Sequence, residues 1–248
     1  NAASDSAGVS ESCRMNLLLL TSQQLDTDQA MLTDQRQLKH IQTHLKLSVG
    51  DSIKIGVRDG HKGTAQVSAI TEKTLVLYDI VLTESPPSKL PLTLIIALPR
   101  PKVLRRLIMD AVTLGAERII LLHSYRVEKS YWQSPFLQQI DAYVQLGLEQ
   151  AGDTVWPQVE LKKRFRPFVE DELPQLCQDK MALVAHPYAV QSCPAQINQP
   201  CVLVIGCEGG FIPFEIDLLQ KNGCQPVSLG ARILRTETAV AHLIGRLF

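Results

Sequence analysis

The chain has 248 residues, 45% of them hydrophobic, and its 25 Lys and Arg are balanced by 25 Asp and Glu, so the formal charge is zero. That length suits two domains better than one, and the apolar share is that of a chain able to bury a core in water. Zero net charge argues weakly against a nucleic-acid coat protein, and no apolar run approaches the roughly 18 residues of a membrane span.

Residues 1–14 (NAASDSAGVSESCR) are small and polar and lack the apolar core of a secretory signal. They read as a disordered extension or tag before a start at Met15. MNLLLL is then a strand, and Thr33 to Leu47 reads as a helix with Leu38, Ile41 and Leu45 on one face. SIKIGVR, GTAQVSAI and KTLVLYDIVL follow as strands, the first two joined by a hairpin at Asp59-Gly60. Many short strands with one helix predict a small β-barrel over residues 15–82, because closure removes exposed sheet edges. The three prolines of TESPPSKLP mark residues 83–91 as a stiff linker.

From Leu92 strands alternate with helices. LTLIIAL is an uninterrupted apolar run, as in a strand covered on both faces. The helix after Pro101 is apolar at Leu104, Leu107, Ile108 and Ala111 and stops at Gly115. RIILLHS is the next strand, and Ser134-Pro135 opens a helix predicted to reach Gln150. VWPQVEL, MALVAH, CVLVIG and PVSLG complete about six strands, so residues 92–248 are predicted to form an open α/β sheet with buried parallel strands. Charge is uneven along this region: residues 86–170 hold 12 Lys and Arg against 8 Asp and Glu, which is compatible with a local phosphate-binding face.

Six cysteines (13, 177, 193, 201, 207 and 224) form no CxxC pair and have no histidine at ligand spacing. They read as reduced thiols of a cytoplasmic protein, with no metal site.

Two strand-to-loop junctions carry the chemistry. IGCEGG (residues 205–210) fits neither GxGxxG nor the GxxxxGK[ST] phosphate loop, which disfavours a dinucleotide or ATP site. Its glycines permit close main-chain approach to an adenine or methionine moiety; taken alone, they are equally those of a plain tight turn. LGARILRTETA brings Gly230, an apolar wall of Ile233 and Leu234, and two arginines, Arg232 and Arg235, next to a helix start. Cations are disfavoured there by the helix dipole, so the pair is expected to face an anion such as an RNA phosphate, with Thr236 or Thr238 capping the helix. A solvated helix start with Glu237 pairing an arginine stays open.

These two loops, in this order and some 20 residues apart, resemble those of the RsmE-type uridine-N(3) methyltransferases of small-subunit ribosomal RNA, members of the SPOUT (trefoil-knot) superfamily. The run Arg232-Ile233-Leu234-Arg235-Thr236-Glu237-Thr238-Ala239 carries most of the likeness. Further matches are the AHP loop (Ala185, His186, Pro187), the basic positions Arg126 and Lys129, Glu149 and Gln150 in LEQAG, and LKHIQTHLKLSVGD upstream. The resemblance implies a PUA-like β-barrel RNA-binding domain over residues 15–82 and a SPOUT methyltransferase domain with a C-terminal trefoil knot over 92–248. It implies S-adenosyl-L-methionine as methyl donor, held by Ala185, His186, Pro187, Ile205, Gly206, Glu208, Gly209, Gly210, Leu229, Gly230, Ile233, Leu234 and Thr238. The implied acceptor is a uridine near the 3′ end of 16S rRNA in the small ribosomal subunit, and the implied assembly is a homodimer.

Removing the uracil N3 proton is favoured by a nearby cation, so Arg235 is expected to stabilise the uracil anion or grip its phosphate. Glu237 is expected as base or as orienter of Arg235, and Glu208 as donor contact or loop tie. Lys39, Lys46, Arg126, Lys129 and Arg232 are expected on RNA, with Lys54, Arg58 and Lys62 as further phosphate contacts. Three residues depart from the family pattern. Cys207 replaces a proline, Lys46 replaces an arginine and loses its bidentate fork, and Asp153 puts a negative charge near the presumed RNA face. They favour the alternative of a non-catalytic RNA-binding or ribosome-assembly protein, which the intact RILRTETA run opposes. A SPOUT enzyme for another RNA nucleoside is the second alternative.

Overall fold

The computed structural model describes residues 16–248. The predicted extension over residues 1–14, the start at Met15 and Cys13 lie outside the described residues. The chain forms two lobes, each built on a six-stranded sheet.

The small lobe comprises β1 (Leu18–Leu20), β2 (Leu25–Asp26), β3 (Gln29–Leu32), β4 (Ser52–Val57), β5 (Lys62–Ile70) and β6 (Leu75–Glu84), in the order β1-β4-β5-β6-β3-β2. β1 pairs with β4 in parallel and the other pairs are antiparallel. Alternation along each strand sends Ala30, Leu32, Ile53, Ile55, Ala65, Val67, Leu75 and Leu77 into one core, where Leu38 and Ile41 meet them. The predicted helix over residues 33–47 is shorter than expected. Asp34 caps Gln37 N at 2.8 Å to open α1 (Gln35–His40), and a π turn over Ile41–Leu45 ends at Lys46, which is left-handed at φ +48°. The extra residue in a π turn shifts the helical phase, so Leu45 is exposed rather than inward.

The connector is residues 85–89, shorter than the predicted linker, because β6 runs to Glu84 and β7 begins at Leu90. The large lobe follows with β7 (Leu90–Ala97), α2 (Pro101–Thr113), β8 (Ala116–Leu122), α3 (Ile140–Ala151) and β9 (Gln158–Lys162). Two short helices come next, α4 (Phe165–Pro167) and α5 (Leu173–Cys177). Then come β10 (Met181–Ala185), β11 (Cys201–Ile205), α6 (Pro213–Lys221), β12 (Gln225–Val227) and α7 (Thr236–Leu247). All pairs in the sheet β12-β10-β11-β7-β8-β9 are parallel. The helix predicted from Ser134 starts later, since residues 135–139 form a 3-10 turn, with Ser134 Oγ accepting from Phe136 N, before α3 begins at Ile140. The strand predicted from Val155 begins only at Gln158, after Pro157, whose nitrogen has no hydrogen to give a ladder. The five cysteines among the described residues are free, four of them buried, and burial pushes the Cys201 thiol up to about 12.

The lobes share β1. Leu18 and Leu20 point into the small core while Leu17 and Leu19 join the large one, so two-residue periodicity stitches the cores together. Beside it lies Glu149, 1% exposed. Its carboxylate accepts from both Nη atoms of Arg36 (2.9 and 3.0 Å), from Gln37 Nε2 (2.7 Å) and from Gln145 Nε2 (3.0 Å), and its carbonyl accepts from Asn16 N and Leu17 N. Asp153, expected on an RNA face, is instead 3% exposed and pairs with Lys89 Nζ at 2.7 Å. That pairing ties the connector to the end of α3, and a buried carboxylate needs such a partner.

Removing a carboxylate that satisfies three buried or half-buried donors leaves them unpaired, at a cost of about 3 kcal/mol. Glu149→Ala is therefore expected to lower the melting temperature by roughly 6–12 °C for a chain of this size. Scanning calorimetry checks this, and an unchanged melt would show that the cluster contributes nothing net.

Candidate active site

The cavity is set by sheet register. β10 lies between β11 and β12, with Val184 opposite Val204 and Ala185 opposite Val227, so these strands end at one level. Their following loops open together at the carboxyl edge of the sheet, where α/β proteins bind ligands. They enclose a cavity of about 350 Å³.

Each loop is tied down by its own bonds. In the first, His186 N donates to Val227 O (2.9 Å), Ala189 N to His186 O (3.0 Å), and the His186 ring meets the Tyr188 edge at 5.7 Å. In the second, Gly210 N donates to Cys207 O (2.8 Å), and a Cβ at Gly206 would lie 2.9 Å from Gly210 Cα and 3.3 Å from Phe211 N. Only glycine allows that turn to close against main chain. Glu208 Oε1 accepts from both Arg100 N and Nε at 3.2 Å, and Arg126 Nη1 donates to Gly209 O. In the third, Gly230 sits at φ +106°, a conformation that favours glycine, while Ser228 N donates to Gln191 O (2.8 Å).

Of the thirteen residues predicted for the methyl donor, twelve line the cavity; Thr238 is exposed on α7 outside it. Glu208 acts as a loop tie to Arg100. Arg126 and Arg232, predicted for RNA, also line the cavity. Lys129 is exposed in the turn after β8, and Lys39 and Lys46 are exposed on the small lobe, away from the lining. Arg235 is the exposed N-terminal flank of α7, and Glu237 lies in its first turn; neither lines the cavity. Glu237 forms no ion pair with Arg232 or Arg235 among the described residues, so the expected pairing is absent. The expected threonine cap is absent as well: α7 has no side-chain cap, and Thr236 Oγ1 reaches back to Gly206 O at 3.5 Å, bracing the second loop instead.

Sequence reasoning missed Tyr188, Cys207, Phe211, Val227, Ser228, Thr236 and Ala239 in the lining. All lie within two residues of predicted positions, so loop continuity was the available signal. It also missed Glu215, 3% exposed, whose carboxylate accepts from Tyr125 N (2.7 Å) and Ile212 N (3.0 Å) and so fixes the loop after β8 to the start of α6. A Glu three residues after a helix-flanking position, with Pro213 between, was its sequence mark. Beside it, His123 Nδ1 accepts from Trp132 Nε1 at 2.9 Å. Burial lowers the His123 pKa, aided by Lys129 and opposed by Glu215.

The family model described as an RNA methyltransferase domain matches residues 86–247. Among curated relatives, a ribosomal RNA small subunit methyltransferase E of Treponema pallidum is 33% identical over 91% of this chain and 87% of its own length. One from Synechocystis is 34% identical over 82% of this chain and 67% of its own. Among solved structures, a ribosomal RNA small subunit methyltransferase E from Neisseria gonorrhoeae bound to S-adenosyl methionine matches with TM-score 0.73 at 22% identity, over 93% of this chain and 95% of that one. The region that carries the strand-end cavity is thus an RNA methyltransferase domain. Within that class, the chain belongs to the ribosomal RNA small subunit methyltransferase E family.

Two predictions follow from this geometry. Gly206→Ala forces a Cβ against main chain, so donor affinity is expected to fall at least about tenfold. Gly209→Ala meets only the side chain of Arg126 and should cost less; calorimetric titration with S-adenosyl-L-methionine compares them, and equal affinities would refute the close-approach argument. A lowered histidine pKa means the unfolded chain binds the proton more readily, so stability is fully present above about pH 6.5 and falls as pH drops through that value toward the folded pKa. Melting curves between pH 7.5 and 5.5 should show this decline, with a shallower slope in His123→Gln.

Proposed function

We propose that this chain transfers a methyl group from S-adenosyl-L-methionine to ring N3 of a uridine near the 3′ end of 16S rRNA. The observation that carries the reading is the convergence of three strand-end loops on one cavity, glycine-cradled and flanked by Arg126 and Arg232. Its volume lies in the range of small-molecule sites. Ile205, Phe211, Leu229 and Leu234 give it apolar walls, and the closed turn at Gly206 offers main chain rather than charged side chains. Such a lining fits a donor with an adenine ring and an amino-acid tail, and bound there the donor supplies an electrophilic methyl group.

The chain's own residues then have two tasks. Leu234 lines the cavity and Arg235 follows it at the exposed start of α7; in this reading the Arg235 guanidinium favours the uracil anion at the rim. Glu237, in the first turn of α7, is the candidate acceptor for the N3 proton. Holding acceptor and donor in line is the remaining contribution. The acceptor base must be unpaired or flipped to enter.

The same reading makes the small lobe a PUA-like RNA-binding barrel, supported by its mainly antiparallel six-stranded sheet and its exposed Lys39 and Lys46. It makes the C-terminal region a trefoil knot. In support, the segment between β10 and β11 bonds to both later elements: Cys193 N to Ser228 O, Gln196 N to Arg246 O, Ile197 N to Leu247 O, and Arg246 Nε to Cys193 O. The proposed assembly is a cytoplasmic homodimer acting on the small ribosomal subunit.

The test is transfer from labelled donor to small subunits lacking the modification, with the product nucleoside identified. Label is expected as 3-methyluridine, and Arg235→Ala is expected to lower kcat by about 100-fold or more with donor affinity unchanged. Label on another nucleoside, or none, would overturn the reading.

A further inference from the structure

α2 carries charges that neither packing nor pairing explains. Its Leu104, Leu107, Ile108, Ala111 and Val112 are buried, so Lys102, Arg105 and Arg106 lie on the opposite side, all exposed. At spacings of three and four residues, Lys102 neighbours both arginines on the helix surface, where like charges repel. None of the three forms an ion pair among the described residues. Several other cations of this lobe do find an acid: Arg118 pairs with Glu160, Lys162 with Glu160 and Glu172, and Arg166 with Glu170. Lys102 also lies in the first turn of the helix, where the dipole disfavours cations, and that turn holds no acid. Three separate electrostatic costs at one place are the mark of a surface whose counter-charge comes from another molecule.

The position of α2 indicates which molecule. Arg100, at its N-terminal flank, is bonded through N and Nε to Glu208 of the cavity loop, and Arg126 reaches Gly209 in the same loop. The cationic face therefore begins at the cavity rim and leads away along the helix. We propose that Lys102, Arg105 and Arg106 form a phosphate-binding track that holds the acceptor RNA backbone on its way into the cavity. The proposal rests on the RNA-methyltransferase reading above and adds to it an RNA contact outside the small lobe and the arginine-rich loop. Phosphate contacts of this kind fix register and contribute affinity without reading sequence.

The experiment uses the full chain with Lys102→Gln, Arg105→Gln and Arg106→Gln combined, all at exposed positions outside the cavity lining. Binding to a 16S rRNA 3′-region fragment and to small subunits is measured against salt concentration. Loss of three phosphate contacts is expected to reduce the slope of log K against log salt by about 2. The KM for subunits should rise at least tenfold, with kcat and donor affinity unchanged. An active triple variant with unaltered slope and KM overturns the track while leaving the enzymatic reading intact. Absence of transfer by the unsubstituted chain overturns that reading, and the binding slope, which needs no turnover, still decides the track. Retained affinity for the naked fragment with lost affinity for the subunit would assign the face to a ribosomal protein and overturn the proposal.

Discussion

The candidate site depends on the register of three short parallel strands. β12 has three residues and β10 and β11 have five each, yet the loops after them form most of the cavity. In a parallel sheet every carboxyl end faces the same edge, so in-register pairing suffices to bring distant loops together. A one-residue slip would turn every side chain of the strand over, moving Val227 out of the lining and Ser228 away from Gln191. The shortness of β12 is offset by bonds beyond its ladder: Ser228 and Ser192 form a bridge next to it, Cys193 N donates to Ser228 O, and Cys224 N donates to Leu219 O at the end of α6. Register here is a functional quantity as much as a structural one.

A second constraint fixes the small lobe to the large one. A fully satisfied buried carboxylate adds little net stability over an apolar equivalent, but it is costly in any other arrangement. Glu149 is such a group, and its donors come from α1 of the small lobe and α3 of the large one. Further bonds follow along the same seam: Thr154 Oγ1 to Gly60 O, Trp156 N to Asp59 Oδ1 at 2.8 Å, and the Arg58 guanidinium 3.8 Å over the Trp156 ring. Polar ties of this directional kind specify orientation where an apolar interface would tolerate sliding. An RNA held by the small lobe would then reach the cavity in a fixed relation to it.

Much of this was legible in the chain. Apolar runs such as LTLIIAL and CVLVIG announce buried parallel strands by lacking alternation, and the glycine and arginine loops after β11 and β12 have residue types that strand-end ligand sites require. The illegible features share one cause, a partner far along the chain. The burial of Asp153 could not be read without Lys89, 64 residues earlier, nor the role of Glu215 without Tyr125, 90 residues earlier. Local deviations fall in the same class: the π turn at Ile41–Leu45 holds Leu38 and Ile41 in the core at the expense of Leu45, a compromise that periodicity alone cannot foresee. Loop identity was readable, whereas side-chain direction was not. That is why Arg235 and Glu237 stand outside a lining that twelve neighbouring predictions occupy.

The same accounting explains how a chain of zero net charge presents cationic surface. Its acids are disproportionately committed to internal ties: Glu149 to Arg36, Asp153 to Lys89, Glu215 to two backbone amides, Glu208 to Arg100. A carboxylate bonded inside the fold contributes little field at the surface beyond its partner. Among the cations that form no ion pair within the described residues, Lys102, Arg105 and Arg106 on α2 and Arg232 and Arg235 at the arginine loop are all exposed. Salt limits the reach of exposed charge to about 8 Å under physiological conditions, so a phosphate near the cavity senses these groups rather than the sum over the sequence. Net charge therefore understates the affinity of this face for a polyanion, because burial has removed acids from the surface while leaving the basic side chains there.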